Sequence, residues 1–239
     1  MENVVDKSGP FLASQLRGLT GSAGARRHAP TAPAVTISHQ TGAGAHEIAE
    51  RLAELLHESD AEGQPWAVVD RQLVEKALEE HHWPKHLAKK MPEDKRSYVD
   101  DVLDDLFGLR PPSWVLVPHV VETMLHLVEA GRVILIGRGA TIVTAPLPNV
   151  FHVRLVASLA TRARRVQAEL KMTSEAAIQY VEKEDRGRRR YVKANFQARL
   201  DNELLYDLVV NTERLPCSDA AALIAEGARR WFQSNAAGE

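Results

Sequence analysis

Residues 34–56 read AVTISHQTGAGAHEIAERLAELL, and the parsing of this stretch decides the fold. Ala34 to Ser38 is a short β-branched run of the kind that forms a buried strand. His39-Gln40-Thr41-Gly42-Ala43-Gly44 follows as a turn with two glycines. Ile48, Leu52, Leu55 and Leu56 then recur at helical spacing, which predicts a helix from about Ala45 to His57. The order is strand, glycine loop, helix. The first amides of such a helix point into the loop, and Gly42 and Gly44 let a ligand approach the backbone closely, so together they make an anion site suited to phosphate. A tight strand-to-helix turn with no ligand carries the same glycines; the position after the first strand favours the phosphate reading.

The loop departs from the full phosphate-loop pattern. With Gly44 as the glycine before the usual lysine, the lysine position holds Ala45, and the next two hold His46 and Glu47. The pattern's first glycine falls on His39. The cation that reaches the outer phosphates is therefore absent, and so is the hydroxyl that binds magnesium. His39 and His46 are the nearest replacements for the cation. Glu47 reads as a first-turn acid that suits the helix dipole.

Outward from this unit, Val68-Val69-Asp70 reads as a second strand, Val133 to Gly137 as a strand apolar on both faces, Val150 to Val156 as the next, and Asp207 to Asn211 as the last. Helical patterns cover Arg71 to His81, Lys95 to Phe107, His119 to Ala130, Leu159 to Leu170 and Ala220 to Phe232, with Gly131 closing the third. Strands alternating with helices predict an α/β doubly wound parallel sheet. The 239 residues carry 30 Lys and Arg against 32 Asp and Glu, a net charge of −2, so no overall field demands nucleic acid or an anionic membrane. One cysteine, Cys217, excludes an internal disulfide and a cysteine-based zinc cluster. No run approaches the ~20 apolar residues that span a bilayer, and no secretory signal is expected. Residues 1–32, rich in Gly, Ala, Pro and Thr from Gly18 onward, read as a disordered leader, with a short helix expected around Phe11 to Leu19.

Three further groups carry chemistry. Glu182 to Lys193 reads EKEDRGRRRYVK, six cations against three acids. Guanidinium forks match phosphate oxygens, so Arg186, Arg188, Arg189 and Arg190 on a mobile hairpin can close over a triphosphate; a solvated helix face with internal Glu–Arg pairs reads equally from the charges, and an RNA contact is a third reading with only Tyr191 and Phe196 as interleaved aromatics. Arg138, between Gly137 and Gly139, follows the most buried strand, where open α/β sheets bind ligands; a structural salt bridge competes. Asp70 and Arg71 end another strand and are placed for a base, sugar or phosphate, or for capping the next helix. The acids Asp100, Asp101, Asp104 and Asp105 lack calcium-loop spacing and read as a solvated face. No HExxH occurs among the ten histidines, and no metal-ligating residue is assigned.

The segments TISHQTGAGAHEIAERLAELL (Thr36 to Leu56), VVDRQLVEKA (Val68 to Ala77), VILIGRGATIV (Val133 to Val143), PNVFHVRLVASLATRARRV (Pro148 to Val166), the EDRGRRRY cluster and YDLVVNTERL (Tyr206 to Leu215) occur in an order and spacing that resembles the cytidylate kinase-like proteins of the P-loop nucleoside monophosphate kinase group. The resemblance implies a three-layer P-loop NTPase-like core with a parallel sheet, a helical acceptor-binding insert (about 71–113) and an arginine-rich lid (about 172–199), all within a domain of residues 33–239. It implies transfer of the γ-phosphoryl group of ATP, with Mg2+, to a CMP- or dCMP-like acceptor in the cytoplasm, by a monomer or homodimer with no membrane or nucleic-acid partner. By the same resemblance Thr41, Gly42, Ala43, Gly44, Ala45 and His46 would cradle the donor phosphates. Arg188, with Arg189 or Arg186, would supply the lid cation, Arg138, Asp70 and Arg71 would serve the acceptor, and the donor base would lie near Asn211 to Arg214. Gly139 stands where cytidylate kinases have an aspartate, a departure that bears on cytosine selectivity. Loops of this family also tend to lack the lysine. A nucleotide-binding sensor that lost transfer, and an RNA-binding accessory protein, are the competing functions.

Overall fold

The computed structural model describes residues 32–59, 65–70, 131–137 and 139–236, with 121, 124, 125 and 127–129 between them. The leader up to residue 31, the insert at 71–113 with its acidic helix, and both Arg71 and Arg138 lie outside the described residues.

Five strands form one sheet: β1 (Ala34–His39), β2 (Ala67–Val69), β3 (Val133–Ile136), β4 (Val150–Val156) and β5 (Leu208–Asn211). All pairings are parallel, in the order β2-β3-β1-β4-β5. β1 lies at the centre, with Ile37 beside Ile136 and Val153. A central parallel strand is covered on both faces, which is why AVTIS carries so little polar surface. The last strand begins at Leu208 rather than Asp207, although the Asp207 N–H still donates to the His152 carbonyl at 2.8 Å.

The helices complete three layers. One face carries α1 (Ala45–Glu58) and α5 (Cys217–Ala236). Ile48 and Leu52 pack there with Val35, Ile37, Phe151, Val153 and Ile224, all buried. The opposite face carries the helical residues of 121–129, the short α2 (Ala140–Val143) and the C-terminal half of α4 (Ser174–Phe196). The N-terminal half of α4 packs instead on α3 (Leu159–Leu170), through Ala163, Val166, Ala177 and Val181.

The lid differs from expectation. Instead of a hairpin, 174–196 is one 23-residue helix, about 35 Å long at 1.5 Å per residue. The Thr173 side chain caps it by accepting from the Ala176 N–H, and Gln197 ends it in a left-handed conformation at φ 52°. Gly187 is buried within the helix.

Candidate phosphate-binding site

The loop after β1 is built for close approach by a ligand. Gly42 and Gly44 hold φ of 79° and 83°, conformations that L side chains rarely adopt. At Gly42 a Cβ would lie 2.5 Å from the Arg162 carbonyl oxygen, so α3 and the loop touch backbone to backbone. Gly44 is the N-cap residue of α1 and offers no side-chain cap. Among the described residues, the amides of Gly42, Gly44, Ala45 and His46 have no acceptor, whereas Ala43 N–H donates to the Gln40 carbonyl at 3.0 Å. An uncapped helix start with several unused donors, carrying the positive end of the helix dipole, has the chemistry that anions favour.

Two arginines of α3 hold the loop's outer wall. Arg165 donates to the Thr212 carbonyl at 2.6 Å and to its hydroxyl oxygen at 3.1 Å, and the Thr212 hydroxyl in turn donates to the Ala43 carbonyl at 3.0 Å. Arg162 donates through Nε to the Ala157 carbonyl at 3.0 Å and through Nη1 to the Thr41 carbonyl at 3.1 Å.

Asp185 of α4 ties this wall to the helix above it. Its Oδ1 accepts from both the amide and the hydroxyl of Thr41, each at 2.8 Å, and its Oδ2 accepts from Arg162 Nη1 at 2.7 Å. The Arg162 and Asp185 side chains are only 8% and 12% exposed, so this is a buried ion pair whose lone pairs are well used. One helical turn on, Arg188 Nη1 donates to the Thr41 hydroxyl oxygen at 3.1 Å and the His39 carbonyl at 3.3 Å, and lies 3.8 Å from Asp185. Burial disfavours the Arg188 charge, and Asp185 and Glu184 oppose that effect.

Of the arginines anticipated for the lid, Arg188 therefore reaches the loop. Arg186 is exposed and lies 3.9 Å from Glu182, and Arg189 is exposed. Thr41 belongs to the loop, but its amide is taken by Asp185. Ala45 is buried at the lysine position, and His46, also a loop residue, reaches Asp70 with Nε2 at 3.1 Å from Oδ2. No group of three metal-ligating side chains occurs among the described residues. The open amides suit a polyphosphate, and a magnesium ion accompanying it would take most of its shell from water and phosphate oxygens.

Asp185, Arg162 and Arg165 were not anticipated as site residues from sequence. Their signal is spacing: Asp185 and Arg188, and Arg162 and Arg165, are i,i+3 pairs that share a helix face. His39 occupies the loop's first-glycine position. Burial holds its imidazole pKa well below the ordinary value, and Arg188, His46 and Arg154 push it further the same way.

The residue after Arg138 has a physical reason to be small. Gly139 has φ of 74°, and a Cβ there would lie 2.5 Å from the ring of Phe196 at the end of α4. The Phe196 ring, held edge-on to Tyr191 at 5.8 Å, fills the space a longer side chain would need.

A sequence model of the cytidylate kinase-like family matches residues 34–214, about three quarters of the chain. Among solved structures, the chain is similar to an uncharacterized protein from Eubacterium ventriosum, with a TM-score of 0.59 and 17% identity over 84% of this chain and 98% of that one. That likeness shows the fold. A shikimate kinase from Bacteroides thetaiotaomicron is more distant, with a TM-score of 0.45 and 12% identity over 81% of this chain and 96% of that one. A uronate isomerase from Corynebacterium glutamicum is 29% identical over 109 residues, 46% of this chain; the chain spans about a fifth of that protein's length.

Proposed function

Because the chain belongs to the cytidylate kinase-like family, and is by that membership a kinase-like phosphotransferase, we propose that it moves the γ-phosphoryl group of ATP onto a nucleoside monophosphate of CMP or dCMP type, or onto a related small phosphorylated acceptor. The observation that carries this reading is the uncapped start of α1, whose unused amides suit a donor phosphate, together with a guanidinium, that of Arg188, bonded to Thr41 of the same loop.

Phosphoryl transfer asks for positioning and charge neutralisation more than for covalent chemistry. The amides of Gly42, Gly44, Ala45 and His46 hold the β-phosphate. Arg188 exchanges its neutral acceptors for the transferring group and does the work of the absent ammonium. Arg186 and Arg189 are placed for a supporting role only if α4 shifts on nucleotide binding. Asp185 and Arg162 keep the loop and α4 in register. Arg138, Arg71 and Asp70 serve the acceptor, and Asn211 to Arg214 face the donor base. Magnesium bound with the triphosphate supplies further neutralisation of the donor oxygens. A cytoplasmic location belongs to the same proposal; among the described residues no helix is long and apolar enough to cross a membrane.

A second reading, a nucleotide sensor with weak or no transfer, is favoured by one observation: the lysine position is a buried alanine. A thermal-shift panel crossing ATP, GTP, CMP, UMP, dCMP and AMP with magnesium, followed by a coupled ADP-release assay, separates the two. Stabilisation by a triphosphate and by one monophosphate, with ADP release, supports the kinase. Triphosphate binding without release selects the sensor, and no nucleotide binding defeats both.

A further inference from the structure

The two central strands of the sheet change character along one face. Toward α1 and α5, β1 and β4 present Val35 and Ile37, and Phe151, Val153 and Leu155, apolar throughout. On the opposite face β1 runs Ala34, Thr36, Ser38 and β4 runs Val150, His152, Arg154. Both start apolar and become polar toward their carboxyl ends, and Thr36 pairs with His152 and Ser38 with Arg154 in the strand register. The middle of this stripe is satisfied internally: the Thr36 hydroxyl lies 2.8 Å from His152 Nδ1 and 3.0 Å from the Thr141 hydroxyl. Its carboxyl end is not.

Arg154 is 7% exposed. Its Nη1 donates to the Ser38 hydroxyl oxygen at 2.7 Å, and its guanidinium lies over the Tyr206 ring at 5.8 Å. Tyr206 is itself fixed, its hydroxyl donating to the Leu200 carbonyl at 3.0 Å. Among the described residues no carboxylate pairs with Arg154. A guanidinium has five N–H donors and is strongly destabilised when buried without a counter-charge. One residue beyond Ser38 along β1, His39 has a buried Nδ1 with no hydrogen-bond partner among the described residues. The His39 ring lies against Gly137, its Cε1 4.0 Å from where a Gly137 Cβ would be. Arg188 closes the group, bonded to the His39 carbonyl. Burial first, and Arg154 after it, disfavour a charge on Arg188 and on His39.

We propose that Arg154, together with Arg188 and His39, forms an oxyanion site at the carboxyl ends of β1 and β4, and that the anion it takes is the phosphate of the acceptor. The buried Arg154 guanidinium without a counter-ion, an unpartnered imidazole nitrogen on the neighbouring residue of β1 and a position at the carboxyl edge of a parallel sheet all ask for the same ligand. The identity of the anion rests on the kinase reading above; the existence of the site does not.

The test is titration calorimetry and melting on the full chain, wild type, Arg154→Met and Arg154→Lys, with three probes: inorganic phosphate, CMP and a non-hydrolysable ATP analogue. Arg154→Met is expected to weaken phosphate and CMP at least about tenfold while leaving the ATP analogue within about twofold. Its unliganded melting temperature is expected to equal or exceed that of wild type, because an unpaired buried charge has been removed. Arg154→Lys, which keeps the charge without the fork, should fall between. Phosphate affinity unchanged in Arg154→Met overturns the site. So does Arg154→Met melting well below wild type or failing to fold, or a wild type that binds neither phosphate nor CMP, because each makes Arg154 a structural residue. Phosphate binding lost in Arg154→Met while CMP binding persists keeps the site and overturns its assignment to the acceptor. A wild type that ignores the ATP analogue defeats the kinase reading and leaves the site to the phosphate arm alone.

Discussion

Replacing Asp185 with alanine tests whether α4 is fastened to the phosphate loop as described. The substitution removes one carboxylate but strands three groups: the Arg162 guanidinium, 8% exposed, and the amide and hydroxyl of Thr41. Breaking a buried ion pair from one side costs about 3–5 kcal/mol, because the remaining charge has no partner. Arg188, 3.8 Å away, aggravates the imbalance. With about 2–4 °C per kcal/mol for a domain of this size, the expected fall in melting temperature is roughly 6–20 °C. Asp185→Asn keeps an acceptor for Thr41 and should lose less. Asp185→Ala combined with Arg162→Met should recover part of the loss, since both halves of the pair are gone. The assay is calorimetric or fluorescence melting, read with urea midpoints. A melting temperature for Asp185→Ala within about 2 °C of wild type would refute the reasoning, as would a double variant less stable than the sum of the two single losses.

Three other outcomes are expected. Arg188→Ala should depress phosphoryl transfer much further than stability, while Arg186→Ala, which loses only an exposed contact with Glu182, should leave both within a small margin; parallel losses in melting and turnover for Arg188→Ala would make it structural. Gly42→Ala forces a side chain into a positive φ and against the Arg162 carbonyl, so it should weaken triphosphate binding and cost about 1–3 kcal/mol of stability, checked by titration and denaturation; unchanged affinity would mean the loop does not hold the donor. Burial lowers the pKa of both His39 and His152. The unfolded chain therefore takes up protons near pH 6.5 that the folded state refuses, so stability is full above that pH and falls as pH drops below it. Urea midpoints between pH 7.5 and 5.5 should show the decline, and it should flatten in His39→Gln with His152→Gln; an identical slope would clear these histidines.

What could be read from sequence follows the range of the interactions involved. β1, its loop and α1 are written in consecutive residues: a β-branched run, two glycines, then apolar side chains at helical spacing. The parallel sheet shows in the same way, since a strand as apolar as Val133 to Ile136 has to be covered on both sides. The lid misleads because a run of charges reads as a mobile or solvated segment, whereas Gly187 and Tyr191 within it are buried by packing that the local sequence does not display. Asp185 escapes for a similar reason. It is one acid among three in that run, and its partner Thr41 lies 144 residues earlier. Arg154 is hidden inside VFHVRLV, which reads simply as a buried strand until β1 is set beside it.

The uninterrupted course of 174–196 has a mechanical consequence. Its first half is bedded on α3, its middle is pinned to Thr41, and its tip presses Phe196 against Gly139. A rod held at three stations does not flap at one end. The helix thereby ties the loop after β1 to the turn at Gly139, and a displacement of Arg188 at one is carried to the other.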